Sequence, residues 1–320
     1  MRQTILYALV LLSGCGGNAS HVSSKPRFLS IGTAPPGGAF FVVGGALAEV
    51  LNDAGSGEWR VTAEATKGSL ESIRRLDNGE LELALANASI TYFAVRGEQG
   101  WERPHRVRSL MTLAHNVMGF ITPRGSGIES IRDLRGRRVV VGVAGAGWEY
   151  FIRPFLRAHG LEYDDFTPLH NTQAGAVDML ADGSADAAFL GGAIPTASLV
   201  RATSADDILF IPFESEARNE LLASYPFYFA VDIPQGTYRG QDEVFEGLSF
   251  GSMHVIVRED MDEALAHEIT RAIYENRARI VEVHPAGESI TPDNVVRDTG
   301  TPFHPGAIRF YREIGIWPSE

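Results

Sequence analysis

Residues 137–149 read RRVVVGVAGAGWE, and the order of residue types in this stretch decides the fold class. Val139, Val140 and Val141 form an apolar run without polar alternation, as expected of a strand covered on both faces in a parallel sheet. Gly142 closes the run, small residues occupy 143–147, and a helix is expected from there to about Leu156. The same succession of strand, Gly/Ser-rich junction and helix extends outward in both directions. Upstream it gives a strand over 28–31, a Gly/Pro loop over 32–38, a helix over 43–52, a strand over 60–65 and a helix from Ser69 to about Leu76. Strands over 81–86, 107–114 and 118–123 follow. Downstream come a helix over 172–181, strands over 187–190 and 208–211 with a helix from about Pro195 between them, and a strand over 251–257. Residues 261–283 read as one long or two broken amphipathic helices. Strands alternating with helices of this length define an α/β protein with largely parallel sheets.

At 320 residues the chain is long enough for about two domains. With 44% hydrophobic and 21% charged residues it has a globular composition, which excludes a disordered tail protein, a fibrous repeat and a polytopic membrane protein. The net charge of -12 opposes binding to nucleic acid and to anionic lipid headgroups, so nucleic-acid binding is excluded first. The single cysteine, Cys15, leaves no intramolecular disulfide. Its position is informative. Arg2 precedes an apolar run over 5–12, too short for a lasting span of a hydrocarbon core about 30 Å thick. Leu12-Ser13-Gly14-Cys15 resembles a bacterial lipoprotein cleavage box, so 1–14 is expected to be a signal peptide and Cys15 the lipid-bearing first residue. A cleaved signal with an incidental cysteine is the alternative. Residues 15–26 then form the lipidated start and a polar tether, and the protein is expected in the periplasm, anchored to a bacterial membrane.

In open α/β sheets ligands sit beyond the carboxyl ends of strands, where helix N-termini present free N–H groups. Four junctions occupy such places: 34–41 (APPGGAFF), 66–69 (TKGS), 143–149 (VAGAGWE) and 191–196 (GGAIPT). Ordinary turn chemistry accounts for glycine at such points as well. Catalytic patterns fare worse. Residues 247–251 (GLSFG) match G-x-S-x-G, but an apolar strand follows where a nucleophile elbow needs a helix. Gly142, Gly145 and Gly147 have the wrong spacing for a dinucleotide loop, and Trp148 would crowd a pyrophosphate. The nine histidines form no H-x-x-x-H pair, so neither a metal site nor any other cofactor is expected. His115, at a strand junction, is the one histidine considered as a ligand contact. With no nucleophile–base pair in view, the chain is expected to bind and not to react.

Several longer stretches carry a family resemblance: GGALAEVLN (44–52), KGSLESIRRLDNGELELALAN (67–87), GIESIRDLRGRRVVVGVAGAGWE (127–149), YPFY (225–228), IPQGTYRGQDE (233–243) and HPGAIRFYRE (304–313). On these the chain resembles the TAXI family, the extracytoplasmic solute receptors of tripartite ATP-independent periplasmic (TRAP) transporters. That resemblance implies a type II periplasmic-binding-protein fold, two Rossmann-like lobes with a ligand cleft between them. Lobe 1 would comprise 27–116 and 246–320 and lobe 2 117–245, with crossovers near 114–119 and 233–248. It also implies a small organic carboxylate as ligand, delivery to TRAP membrane subunits driven by an ion gradient, and a monomer. A sensory binding protein on the same fold is the alternative function, and an enzyme a distant third.

Departures from the family pattern bear on the ligand. Where the family commonly has Gly-Gly-Thr-Tyr-Tyr, this chain has Gly37-Gly38-Ala39-Phe40-Phe41, and a family aspartate is replaced in Asn87-Ala88-Ser89. Fewer hydroxyls and the added Trp148 predict a more apolar cleft, suited to a 2-oxo acid, dicarboxylate or apolar or aromatic acid without an amino group. The expected carboxylate contacts are backbone N–H groups of Gly145, Ala146, Gly147 and Trp148, with Thr66, Gly68 and Ser69 opposite and Lys67 complementing the charge unless Glu64 neutralises it. Phe40, Phe41, Tyr92 and Trp148 are the expected apolar walls. Gly38, Ala39, Asn87, Ser89, Gly192 and Pro195 complete the candidate site.

Overall fold

The computed structural model describes residues 26–36, 38–55 and 57–318; the leader, Cys15 and most of the tether lie outside them. In chain order the strands are β1 (Arg27–Gly32), β2 (Trp59–Glu64), β3 (Leu83–Asn87), β4 (Val107–Thr112), β5 (Val117–Pro123) and β6 (Arg138–Val140). They continue with β7 (Thr167–Leu169), β8 (Ala187–Gly192), β9 (Ile208–Phe210), β10 (Tyr228–Ala230), β11 (Leu248–Phe250) and β12 (Met253–Arg258). One sheet has the order β2-β1-β3-β12-β4. The other runs β10-β11-β5-β8-β6-β7, with β9 paired to β5. β1 is parallel to β2 and β3, and β6 is parallel to β7 and β8, while β12 and β5 run antiparallel to their neighbours. The parallel centres explain the unbroken apolar runs: Val139, Val140 and all five residues of β3 are buried.

Helices cover both faces. The helix Ala39–Ala54 buries Val43, Leu47, Val50 and Leu51, a stripe at helical spacing that packs on the first sheet. The helix Glu149–Ala158 buries Phe151, Ile152, Phe155 and Leu156 against the second. Residues 261–283 resolve into two helices, Glu263–Glu275 and Arg277–Val283. The G-x-S-x-G stretch contains a strand of its own: β11 holds Ser249 fully buried in the sheet, so no elbow exists there.

Because β12 lies between β3 and β4, the first lobe is built from both ends of the chain. The outward passage, from β4 to β5, is residues 113–116. The return is Gly251 and Ser252, between β11 and β12. This lies just beyond the 233–248 window expected from sequence. Those residues stay with the second lobe instead, where Ile233 pairs with Phe245 and the Tyr238 hydroxyl accepts from Thr196 N at 2.9 Å. The window was misplaced because β11 is only three residues long and reads as loop.

The two passages hold each other. Phe250 N donates to Asn116 O at 2.8 Å, Met253 N to Ala114 O at 2.8 Å and Leu113 N to Met253 O at 2.7 Å. The buried Asn87 side chain fixes the return passage to the first lobe, donating from Nδ2 to the carbonyls of Phe250 and Gly251, each at 3.2 Å. Its Oδ1 accepts from Ser89 N at 2.9 Å and from Ser89 Oγ, capping the helix Ala88–Ala94. Gly251 has φ +92°, and a Cβ there would lie 2.3 Å from Asn87 Oδ1, so only glycine fits. Replacing Asn87 by Ala strands buried donors and acceptors and should cost about 2–3 kcal/mol of stability. A urea-denaturation midpoint unchanged by Asn87→Ala would refute the clamp.

Candidate functional site

The carboxyl ends of β1, β2 and β3 and those of β6, β7 and β8 face one another across the passages. At these ends begin the helices Ala39–Ala54, Ser69–Asp77, Glu149–Ala158 and Gln173–Ala181. The first three lack a side-chain cap, but some of their leading N–H groups turn back on the preceding loop: Phe41 N donates to Gly38 O at 3.1 Å and Tyr150 N to Gly147 O at 3.2 Å. On the fourth, Thr172 caps by accepting from Gly175 N at 3.1 Å.

Two of the expected junctions meet directly. A Cβ on Gly68 (φ +125°) would lie 3.6 Å from Ala146 O, and one on Gly147 (φ +90°) 2.9 Å from Leu70 Cγ and 3.0 Å from Ile90 Cδ1. Around them one apolar core runs without interruption through both lobes, joining Leu70, Ile90 and Phe93 to Tyr150, Phe151 and Phe189. Residues 66–69 and 145–148 therefore form a packed seam. Gly145 is exposed, with nothing near its Cβ position.

The hydroxyls expected to face a ligand are engaged inside lobe 1. Thr66 Oγ1 donates to Thr33 O at 2.7 Å, accepts from Gly68 N at 3.1 Å and meets Ser72 Oγ at 2.9 Å. Ser69 Oγ accepts from Asn87 N at 2.9 Å. Lys67 is exposed, and Glu64 bonds Arg75 at 2.6 Å, not Lys67. Asn87 and Ser89 are used by the clamp. Tyr92 points into an aromatic cluster, 5.1 Å from the Phe227 ring with Arg96 stacked 3.6 Å above it, and does not join Phe40 in a common wall. The Trp148 ring lies over Gly142 and is 6.1 Å from both Phe151 and Phe189, half-buried in lobe 2.

The remaining candidates lie on the other side of the seam. Ala39 and Phe40 are half-buried against the lobe 1 core, as is Ala193 from the lobe 2 loop, while Phe41 is half-buried and Gly38 exposed at the helix start. Gly191 lets β8 run close to β5: a Cβ there would lie 2.2 Å from Val117 O. Gln173 holds this turn, donating to Gly191 O at 2.9 Å and accepting from Gly191 N at 3.2 Å. Gly192 is half-buried beside Thr196, and Pro195 is exposed.

Sequence reasoning considered His115 but missed the groups around it at the passages. His115 sits edge-on to Phe229 at 4.5 Å and 3.4 Å from Ser252 Oγ, so it touches both passages and lobe 2. Burial, with Arg297 adding to it, depresses its pKa to about 4. His254, fully buried on β12 and hydrogen-bonded to Thr91 Oγ1 at 2.8 Å, is pushed down to about 3 by burial alone. Arg297 gave no signal in sequence, because no periodicity or motif surrounds it. Among the described residues no group of three or more His, Asp or Glu side chains is placed to hold a metal ion. Two cavities open elsewhere on the surface. One of about 600 Å³ includes Glu263 and Arg309 in its lining, and one of about 450 Å³ is lined by Arg74, Trp101 and Arg103.

Two lobes from one discontinuous chain, joined by two passages with helix N-termini facing across them, define a periplasmic-binding-protein fold. Solved structures agree on that fold. PhnD1 from Prochlorococcus marinus, in complex with methylphosphonate, is 12% identical with a TM-score of 0.55, the alignment covering 90% of this chain and 96% of that one. A Xanthomonas citri protein bound to ATP is 12% identical with a TM-score of 0.52, covering 90% and 95%. The periplasmic sulfonate-binding protein SsuA from Methylobacillus flagellatus is 13% identical with a TM-score of 0.51, covering 92% and 88%. The chain belongs to the NMT1-like family, whose profile matches residues 31–315. This corrects the TAXI resemblance and the TRAP partners it implied. Stretches such as 44–52 and 67–87 lie on strands, helices and the turns between them, so they report the architecture and not the transport partner.

Two outcomes follow from the geometry. A Gly147→Val side chain collides with Leu70 and Ile90 and strains a positive φ, so it should lower the melting temperature by several degrees and enlarge the radius of gyration in solution scattering. A wild-type profile would mean that the seam tolerates separation. The pH response has a definite sign. His115 and His254 titrate below 6.5 in the folded chain, so the unfolded chain binds protons that the folded one refuses. The contribution of these two groups is fully present above about pH 6.5 and is lost as the pH falls towards about 4 for His115 and about 3 for His254. His115→Gln should flatten part of that fall in urea titrations, and an unchanged slope would count against a buried neutral His115.

Proposed function

We propose that this protein is an extracytoplasmic solute receptor that closes two lobes on a small organic anion and presents it to the membrane subunits of an ATP-driven importer. The observation that carries this reading is the two-lobe arrangement, with helix N-termini from both sheets starting at carboxyl ends of parallel strands around the two passages. Such ends stabilise an oxyanion through N–H groups and aligned peptide dipoles. The half-buried Phe40 and Phe41 beside that seam favour an anion with an apolar portion. A sulfonate, phosphonate or carboxylate without an ammonium group meets both requirements. The methylphosphonate and sulfonate named for two of the structural neighbours support the anion class, and the ABC transporter named for one supports the partner. Receptors of this kind work outside the cytoplasmic membrane, and a lipid on Cys15 would hold this one at a membrane surface.

The direct test is a thermal-shift screen against alkanesulfonates, alkylphosphonates, short-chain and aromatic carboxylates, and amino acids. A solute at 100 times its dissociation constant should add about 2.7 kcal/mol, a rise of a few degrees, while glutamate stays silent. Glutamate as the strongest hit would refute the apolar-anion reading, and silence from every anion would refute the receptor assignment.

A further inference from the structure

The cross-strand register places one row of residues at the end of the second sheet nearest the passages. Phe229 pairs with Ser249, Ser249 with Val117 and Val117 with Gly192. Paired residues on adjacent strands project to the same face. Tyr228 and Phe250 belong to the core shared by both lobes, whereas Val117 belongs to the separate lobe 2 core on the opposite face. The row therefore faces away from the packed seam. It ends at Gly192, beside the Ala193 that packs with Ala39 and Phe40 on the lobe 1 core. Ser249 Oγ, in the middle of the row, is buried and has no hydrogen-bond partner.

At the other end of this row stands Arg297. Thr112 Oγ1, at the passage end of β4, donates to Arg297 O at 3.1 Å, and the guanidinium carbon lies 4.7 Å from the Phe229 ring centroid. The backbone is thus held by lobe 1 and the head group rests on lobe 2, with His115 adjacent. Among the described residues only Nε has a partner, Asn294 Oδ1 at 3.3 Å. Among the described residues no carboxylate forms an ion pair with it. Its neighbour Asp298 accepts instead from Gly300 N at 2.7 Å. By contrast Arg218, whose side chain is largely buried, has Asp232 at 3.5 Å. The half-buried guanidinium has no counterion among the described residues of a chain of net charge -12, and its planar fork matches an oxyanion with two acceptor atoms.

We infer that Arg297 is the charge-recognition residue of the cleft, binding the sulfonate, phosphonate or carboxylate group of the solute at the passage end of the row. This rests on the proposed receptor function. An anion bridging Arg297 to the far lobe also rewards closure, because the guanidinium already lies between them.

The experiment compares methanesulfonate with its uncharged near-isostere dimethyl sulfone by isothermal calorimetry on the parent protein, Arg297→Gln and Arg297→Lys. Methylphosphonate, acetate and inorganic sulfate serve as further anion probes. The parent should prefer the charged member, Arg297→Gln should lose roughly 10–100-fold in anion affinity with dimethyl sulfone unaffected, and Arg297→Lys should recover part of the loss. Thermal unfolding without ligand checks each fold. If Arg297→Gln does not fold, Arg297→Met, which keeps an unbranched chain on Phe229, replaces it. Anion binding unchanged in the neutral variants overturns the role of Arg297 and leaves the receptor intact. Binding of neutral solutes alone overturns the anion site but not solute capture, and no binding by any probe overturns both.

Discussion

The carboxamide of Asn87 is the contact on which the two-lobe arrangement depends. A chain that leaves one sheet, builds a second and returns must thread its last strand, β12, between β3 and β4 already in place. The return passage is only Gly251 and Ser252, so its direction has little slack. Asn87 sits at the end of β3, where that passage arrives. It donates twice to the arriving carbonyls and accepts twice from the start of its own helix. Four bonds from one side chain convert the end of a strand into a joint. A carboxamide suits this joint chemically, since a carboxylate could accept from Ser89 but could not donate to Phe250 and Gly251.

Around this joint the molecule divides its labour by face. On one side Leu70, Ile90, Phe93, Tyr150 and Phe151 fuse the lobes through a common apolar core. On the other the cores stay separate, and among the described residues of lobe 2 only Ala193 reaches across to the lobe 1 core. Polar and charged groups near the passages, His115, Ser249 and Arg297, gather towards the second side. The seam and the proposed anion site are therefore different places, although the helix N-termini border both.

The fold was largely legible because its signals are local. The run at 139–141 and the glycines after it announce a buried strand and a turn without reference to any other part of the chain. What escaped was short or distant. β7, β10 and β11 have three residues each and lack the longer apolar run that marked the equally short β6 and β9, and Ser249 was noticed for a motif that its strand invalidates. At the site, glycine-rich junctions marked the right strand ends, but composition cannot say whether a hydroxyl faces a cleft or a neighbouring turn. Thr66 and Ser69 turned inward because Thr33 and Asn87 offer them partners there. Arg297 stayed hidden because Phe229 and His115, the groups that give it meaning, lie far away in sequence. The family resemblance erred for a related reason: motifs of strand, turn and helix are shared by receptors that serve different transporters.

The continuous core beneath Gly147 gives the two possible ways of parting the lobes different thermal characters. Prying them apart along the seam would expose Leu70, Ile90, Phe93 and Phe151 to water, and newly wetted apolar surface carries a large positive heat-capacity increment. Twisting about the paired passages moves polar backbone with little change in apolar exposure. The first motion would thus be strongly temperature-dependent and the second nearly athermal, so closure of the proposed kind would turn on the seam as a book turns on its spine.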